Sequence, residues 1–470
     1  MAKNIILESD SFNPNKLKNW IGSSNANKSY KLFILTRKSR HEKFKKELTN
    51  FDNVICVTYS QIFKYKPKDK INPSFYNSFI SSFLNNHITA RFIDRGSLWS
   101  KDYGVGVQNT FSYYTFSSYG MLGFLIDNKI SIVYFRNTPH EPKEWILAKA
   151  AEFLSIDIFT SERYVLPWLY TICKGFNKER EFVLEGKTLN DSELLNLHIE
   201  KYLNKIKGKY SDAIPSYEKN RLGKGILKYY NPFKDIYQNI KRLDNFVNKT
   251  KIFFYYKKHR KHIDLKQSDY IVFFLHFQPE RTTLPEGYDF ADQFYTINLL
   301  SRMLPAGVKL LVKEHPSMFT VKSDVRARNV YNYKQILKLE NVLLCPLDYD
   351  IFNLIDNAKA VSTITGNVAV ESFTRKTPVI LFGRSLLDVD GVHLYKDVNS
   401  LQIFINKVCN NEIKIENVVS TFVNLCSKNN ISGLDLSSNE EIDYHNYKEF
   451  QENAHYKLLT EVLIKQSETS

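Results

Sequence analysis

Short apolar runs that end in polar residues and then give way to helical periodicity recur along this chain in two separate blocks. In the first, YKLFILTRKS and NVICVTYS read as buried strands separated by the helical RHEKFKKELTNFD, and further on KISIVYF, a turn, EPKEWILAKAAEFLS and IDIFTSE repeat the order strand, loop, helix, strand. In the second, from residue 268, the strands DYIVFFLHF, VKLLVKEHP, NVLLCP, AVSTIT and TPVILFG are interleaved with the helices DFADQFYTINLLSRML, DIFNLIDNAK and NVAVESFTRK. Strands apolar throughout and followed by helices predict parallel sheets covered on both faces.

Between about 175 and 262 the alternation lapses into Lys, Glu, Asn and Leu, with Ile236, Tyr237, Ile240, Leu243, Phe246 and Val247 at helical spacing. At 470 residues the chain is too long for one ordinary core. The expected fold class is therefore α/β, with two Rossmann-like domains facing each other across a cleft, the architecture called GT-B. The expected division is a Rossmann-like domain over 1–170, a helical connection over 171–265, a second Rossmann-like domain over 266–435 and a closing helix over 436–470.

Composition narrows the partners. A net charge of +15 favours anionic ones, but no zinc-finger spacing, RNP-like aromatic motif or basic arm is present, so nucleic acid ranks below phosphorylated or carboxylated substrates and acidic lipid. The five cysteines are scattered and never in a C-x-x-C pair, which argues against a disulfide framework and a zinc site and fits a reducing cytoplasm. The N-terminal MAKNIILESDSFNPN has no leader pattern, and no apolar run approaches the roughly 20 residues that span a bilayer. The stretch KTKIFFYYKKHRKH (249–262) interleaves aromatics with cations. It reads as a helix packing its aromatics inward or as a surface that rests on anionic lipid, the first being favoured.

In open α/β sheets ligands bind beyond the carboxyl ends of the strands, and the unusual residues of this sequence fall there. His315 and Pro316 close LLVKEHP, with Lys313 two residues back, so an imidazole in a stiffened loop can donate to a phosphate oxygen. STITGNVAVES places Ser362, Thr363, Thr365 and Gly366 between a strand and a helix start, an arrangement of hydroxyls, open backbone and helix dipole suited to an anion. Glu371, one turn on, reads either as a ligand for ribose hydroxyls or as an exposed helix carboxylate. HFQPERTT concentrates His276, Gln278, Glu280 and Arg281 after an apolar strand, and FRNTPHEP holds Asn137, His140 and Glu141 between a strand and a helix. His140 and Glu141 read as an acid/base pair, with a first-turn helix carboxylate as the other reading of Glu141. The triplets DYD and DVD read as turn and surface residues, no metal site is expected, and Walker, G-x-S-x-G and G-x-G-x-x-G motifs are absent.

Residues 270–319, with FRNTPHEP and STITGNVAVESFTRKTPVILFG, resemble the capsule polysaccharide synthesis family, which includes the Kdo transferases of capsule and lipopolysaccharide assembly. H-x-Q-P-E and K-E-H-P carry the resemblance most specifically. It implies a glycosyltransferase that moves Kdo or a nonulosonic acid, such as pseudaminic or legionaminic acid, from a CMP-activated donor to a glycan acceptor expected to be lipid-linked. His315-Pro316 with Ser362-Thr363 would hold the donor phosphate, Arg281 or His276 the sugar carboxylate, and no cofactor or catalytic metal is implied. The expected location is cytoplasmic, at most peripheral on the inner membrane. The rival readings are a CDP-alcohol polyol-phosphate transferase, a UDP-sugar epimerase, and a non-catalytic glycan-binding assembly or export subunit.

Overall fold

The computed structural model describes residues 3–9, 12–23, 30–96, 106–163, 166, 170–178, 180–182, 192–210, 243–278, 280–320, 328–428, 456, 459 and 460. The chain divides into two compact units, Met1–Asn190 with Ser427–Ser470, and Asp191–Cys426. Each is built on one sheet.

In the first unit β1 (Lys3–Glu8), β2 (Tyr30–Thr36), β3 (Val54–Thr58), β4 (Ile130–Phe135) and β5 (Asp157–Arg163) are parallel, while β6 (Tyr170–Lys174) and β7 (Glu181–Phe182) continue the sheet antiparallel, in the order β3-β2-β1-β4-β5-β6-β7. Residues 3–8 thus supply a central strand, with Ile5, Ile6 and Leu7 buried between β2 and β4. The helix Val107–Asp127 was hidden in sequence because Tyr, Phe and Ser surround it without a clean apolar stripe. It packs closely enough that a Cβ on Gly120 would collide with the Phe63 carbonyl, and one on Gly123 with the Pro67 ring.

The second unit has an all-parallel sheet of β8 (Tyr270–Phe274), β9 (Lys309–Lys313), β10 (Val342–Leu344), β11 (Ala360–Thr363), β12 (Val379–Leu381) and β13 (Val392–Leu394), ordered β10-β9-β8-β11-β12-β13. Counted from its own first strand this is the order 3-2-1-4-5-6 of dinucleotide-binding sheets. All five strands expected in this block are present. Its core runs from Ile271, Phe273, Leu310 and Val312 in the sheet to Ile252 and Tyr256 on the helix Leu243–His259 and Ile297 and Leu300 on the helix Gln293–Met303.

The expected domain limits shift. There is no separate connection over the described part of 171–265. Backbone pairing draws β6 and β7 into the first sheet, with Thr160 opposite Cys173. The helix Ser192–Lys207 belongs to the second unit, where it buries Ile199, Leu203 and Ile206 and its last carbonyls accept from Arg375 Nη1, at 3.1 Å from Ile206 O and 3.3 Å from Lys207 O. From the closing segment, Tyr456 and Leu459 join the first unit's core; Tyr456 stacks on Phe12 and Trp20, and Trp20 Nε1 donates to Thr460 Oγ1 at 2.8 Å. The remainder of the expected closing helix, and Ile236, Tyr237 and Ile240 of the connection, lie outside the described residues. Among the described residues no helix is long and apolar enough to cross a membrane.

The packing of Trp20 gives a direct check. Trp20→Ala removes a buried indole, its two-sided aromatic contact and a long-range hydrogen bond, and should destabilise the first unit by about 3–5 kcal/mol. In a denaturant titration the tryptophan-fluorescence transition, which reports the first unit because all four tryptophans lie within 1–190, should move, while the unfolding of the second unit, followed by hydrogen exchange of its backbone amides, should not. A common, equal shift would contradict two separately cored units.

Candidate active site

The carboxyl ends of β8, β9 and β11 meet beside the point where the strand order of the second sheet reverses, and the H-x-Q-P-E, K-E-H-P and S-T-I-T-G segments all emerge there. The groups closest to one another are mostly not those singled out in sequence. Glu314, with no solvent exposure, directly follows β9 and accepts from Arg328 Nε at 3.0 Å, from the Tyr333 hydroxyl, and from His315 N–H at 2.7 Å. Burial, and next the Glu314 charge, hold the Tyr333 phenol well above its usual range, so it remains a donor. Burial works against the charge on Arg328, but Glu314 outweighs it and keeps the guanidinium ionised.

Arg328 also reaches the neighbouring strand end. Its Nη2 donates to His276 O at 2.8 Å, and its guanidinium lies over the Phe294 ring at 5.2 Å. Behind it, Tyr256 OH accepts from Glu314 N–H at 3.2 Å and donates to Cys345 O at 2.5 Å. One buried ion pair thus ties β8 to β9 where both leave the sheet. Both carboxylate oxygens of Glu314 accept hydrogen bonds, and Arg328 donates from Nε and Nη2, the kind of satisfaction under which a buried charge is tolerated.

His276 sits in the adjoining corner and is almost wholly buried. Its Nε2 accepts from Thr365 N–H at 3.2 Å and lies 2.9 Å from Thr363 Oγ1, which places the ring proton on Nδ1, facing Thr282 Oγ1 at 3.2 Å and Glu280 Oε2 at 3.7 Å. Burial alone would raise the Glu280 pKa, but the adjacent His276, the Thr282 hydroxyl and His315 lower it. Thr365 Oγ1 donates to Thr282 O at 2.7 Å. A Cβ on Gly366 would lie 2.9 Å from Thr363 Oγ1 and 3.4 Å from His276 Cε1, so the glycine lets the loop close on the imidazole.

His315 is held differently. Its Nδ1 accepts from Ser317 N–H at 3.2 Å, which assigns the proton to Nε2, and its ring lies 6.1 Å from that of Phe277. Pro316 begins the turn in which Phe319 N–H donates to Pro316 O. The backbone N–H groups of Gly366, Asn367 and Val368 have no acceptor among the described residues, as expected at a helix start. Asn367 is exposed and Thr365 and Gly366 half-buried.

Several expected donor-site residues are placed otherwise. Lys313 is buried and its Nζ donates to Pro346 O at 2.6 Å, joining β9 to the loop after β10. Ser362 lies within β11, fully buried and turned by strand alternation to the opposite face from Thr363, and its Oγ has no partner among the described residues. Thr363 and His276 are committed to each other and shape the corner from inside. Gln278 Nε2 donates to Thr283 Oγ1 at 2.7 Å, and Arg281 Nε lies 3.4 Å from Glu286 Oε1. Glu371 is half-buried in the first turn of the helix Val368–Thr374. The DYD triplet is structural: Asp350 caps the helix Ile351–Asp356 by accepting from Asn353 N–H.

The first unit repeats the arrangement at the end of β4. His140 Nδ1 lies 3.1 Å from Thr138 O and 3.3 Å from Glu144 Oε2, and the same carboxylate oxygen accepts from His140 N–H at 3.0 Å and Glu141 N–H at 3.1 Å. Glu144, nearly buried in the first turn of the helix Pro142–Phe153, is therefore the carboxylate that orients His140. Glu141 pairs instead with Arg37 Nη2 at 2.7 Å and Lys143 Nζ at 3.1 Å. Burial would raise its pKa, but Lys143, Arg37 and His140 together bring it below the ordinary carboxylate value. Asn137 is half-buried in the same loop, and Thr138 accepts from Arg180 Nη1 at 2.8 Å. The expected pairing of His140 with Glu141 is thus replaced by His140 with Glu144, one helical turn on, a spacing legible as H-x-x-x-E at a helix start. Arg328 carried no such signal, because its partner is distant in sequence.

Both units are Rossmann-like α/β, each with a polar cluster at the strand ends of its sheet. The family model for capsule polysaccharide biosynthesis proteins matches residues 186–421, and the chain belongs to that family. No curated protein matches the sequence. Among solved structures it is similar to the β-Kdo 2,4-transferase of Thermosulfurimonas dismutans KpsC, at 15% identity over 63% of this chain and 78% of that one, with a TM-score of 0.34. It is also similar to UDP-GlcNAc 2-epimerase from Methanocaldococcus jannaschii, at 13% identity over 89% of this chain and 96% of that one, TM-score 0.26. A third is Anabaena Alr3699/HepE in complex with UDP-glucose, at 11% identity over 99% and 100%, TM-score 0.26.

Removing one member of the buried pair should be far more damaging than removing both charges. Arg328→Met leaves Glu314 buried without its cation and should cost about 3–5 kcal/mol in denaturant unfolding, whereas Glu314→Gln combined with Arg328→Met should recover part of that loss. A single-variant cost below about 1 kcal/mol, the range of an exposed pair, would contradict the described network.

Glu141 predicts a pH dependence with a definite sign. Because its folded pKa lies below the ordinary value of 4.5, its contribution to stability is present above that value and lost as pH falls through the folded pKa. Glu141→Gln should reduce the slope of stability against pH on that acid limb, measured by thermal unfolding. An unchanged slope would contradict the pairing with Arg37 and Lys143.

Proposed function

We propose that this capsule-family protein is a glycosyltransferase that moves a 2-keto sugar acid, Kdo or a nonulosonic acid such as pseudaminic or legionaminic acid, from its CMP-activated form to a sugar hydroxyl of a capsule or lipopolysaccharide glycan, the acceptor being lipid-linked. The observation that supports it most is the corner beside the switch point of the second sheet. There the buried Glu314–Arg328 pair anchors the His315 backbone, Ser317 N–H fixes the ring with its proton on Nε2, and the half-buried Thr365-Gly366 backbone leads into a helix start whose N–H groups have no acceptor among the described residues. The backbone N–H groups of that helix start are donors suited to the oxygens of a nucleoside monophosphate, and the His315 Nε2–H lies in the loop after β9 of the same sheet.

In this reading the donor phosphate accepts from His315 Nε2–H and from the backbone N–H groups of Gly366 to Val368. Negative charge grows on the phosphate oxygen as the bond to the anomeric carbon breaks, and both donor sets strengthen with it. His276, Thr363 and Lys313 support that site from behind. Arg281 remains the candidate for the sugar carboxylate, exchanging its partner Glu286 for the substrate. In the other unit His140, oriented through Nδ1 by Thr138 O and Glu144, takes the acceptor hydroxyl proton on Nε2 as the oxygen attacks the anomeric carbon, and Glu144 stabilises the imidazolium. Glu141, ion-paired and acidic, is unsuited to that task. CMP leaves with a single phosphate, a charge that protein donors can neutralise. The site works on the cytoplasmic face, where activated sugars are made.

Nucleotide profiling tests the reading. Saturating CMP at a hundredfold excess over its dissociation constant should stabilise the protein by about 2.7 kcal/mol, with UDP and GDP without effect. A UDP response would instead favour an epimerase, a CDP-alcohol turnover a polyol-phosphate transferase, and no nucleotide response a binding subunit. With CMP-Kdo, CMP-pseudaminic acid or CMP-legionaminic acid as donor, His315→Ala should lower turnover by roughly 10²–10³-fold. His140→Ala should lower transfer by roughly 10²–10⁴-fold while CMP affinity is kept. Loss of CMP affinity in His140→Ala would move that histidine out of acid/base work.

A further inference from the structure

The aromatic and cationic stretch at 249–262 is split by the structure into two faces, and only one is absorbed by the core. On the helix Leu243–His259, Ile252 and Tyr256 are buried. Val247, Lys251, Phe254 and Lys258 fall on the opposite side at i, i+4, i+7 and i+11, all exposed, with Phe254 at 58% and Val247 at 44%. The adjacent helix Val330–Ile336 buries Tyr333 and Ile336 and presents Tyr331, 65% exposed, followed on the same side by Lys334 and by Lys338 just past its end. From Phe246 to His262 the sequence holds Lys249, Lys251, Lys257, Lys258, Arg260 and Lys261 and no acidic residue.

A Phe that is 58% exposed adds little to the core on the outer face of a helix whose inner face already fills it. Two exposed aromatics ringed by lysines differ from a protein-binding surface, whose centre is depleted of lysine. They match a bilayer interface instead. Aromatic rings enter the headgroup region to a shallow depth, and lysines lay their alkyl stems along it with the ammonium groups at the phosphates. A single apolar anchor is too weak to hold a protein there, and apolar contact combined with a basic cluster is sufficient.

We propose that the face formed by Val247, Lys251, Phe254, Lys258, Tyr331 and Lys334 docks this protein on the surface of an anionic phospholipid bilayer. It is a second site, separate from the donor corner, and it stands or falls independently of the nucleotide reading.

The experiment is vesicle flotation of the full chain with phosphatidylcholine vesicles with and without phosphatidylglycerol, at low and high salt. Binding should require phosphatidylglycerol and weaken as salt rises. Phe254→Ser with Tyr331→Ser, and separately Lys251→Glu with Lys258→Glu, should each reduce binding by about tenfold or more, since each lysine near an anionic surface contributes about fivefold. Circular dichroism and thermal unfolding of the variants should match the parent, because no altered side chain is buried. Absence of binding, equal binding to pure phosphatidylcholine, or parental binding by both variants would overturn the proposal. So would single-stranded nucleic acid displacing the protein from vesicles while the variants retain lipid binding.

Discussion

A carboxylate with no access to water at the end of a central strand is tolerable only if every lone pair is answered, and the organisation of the second unit follows from meeting that requirement at Glu314. Three donors converge on it, from Arg328, Tyr333 and the backbone of His315. Two come from the segment 328–333 and the third from the residue that follows Glu314. The Arg328 fork then continues to His276 O, so the same cation that neutralises β9 also fixes the exit of β8. The pair contributes position more than net stability, because desolvation offsets much of its Coulomb attraction.

The consequence for the histidines is a division of labour by tautomer. His276 accepts a backbone N–H on Nε2 and is enclosed by its own loop, while His315 accepts on Nδ1 and keeps its proton on the other nitrogen. Chemically equal side chains become, respectively, a support and a donor. His140 in the first unit is a third case, held through Nδ1 by a carbonyl and a carboxylate. In each unit the groups lie at strand ends of a mostly parallel sheet, where the chain leaves the ladder and its backbone polar groups need new partners.

Legibility followed physical range. Strands buried on both faces are apolar runs, and those of the second unit were readable with the helices between them. KNIILE was not, because one central strand next to the N-terminus lacks the preceding helix that makes the rhythm visible. The segments 170–174 and 181–182 were folded into a helical connection that the structure dissolves, since antiparallel edge strands depend on pairing with β5 and not on their own pattern. At the site the loops were found, and the roles within them partly redistributed. Lys313 and Ser362 look like ligands by type and proximity, yet one is bonded to Pro346 O and the other turned into the sheet.

What the sequence by itself determined is the set of short-range facts. These are the α/β rhythm, the two blocks, the polar strand ends, the family resemblance carried by H-x-Q-P-E and K-E-H-P, and a segment with aromatics and cations interleaved. Only the tertiary structure decided which polar groups satisfy one another. It paired Glu314 with Arg328, His276 with Thr363 and Thr365, and Glu141 with Arg37, and it left Phe254 outward while Tyr256, two residues on, went into the core. The reason is that a buried charge or imidazole is stable only with partners at hydrogen-bond distance, and those partners are brought together by strand order, which a linear pattern of residue types does not encode.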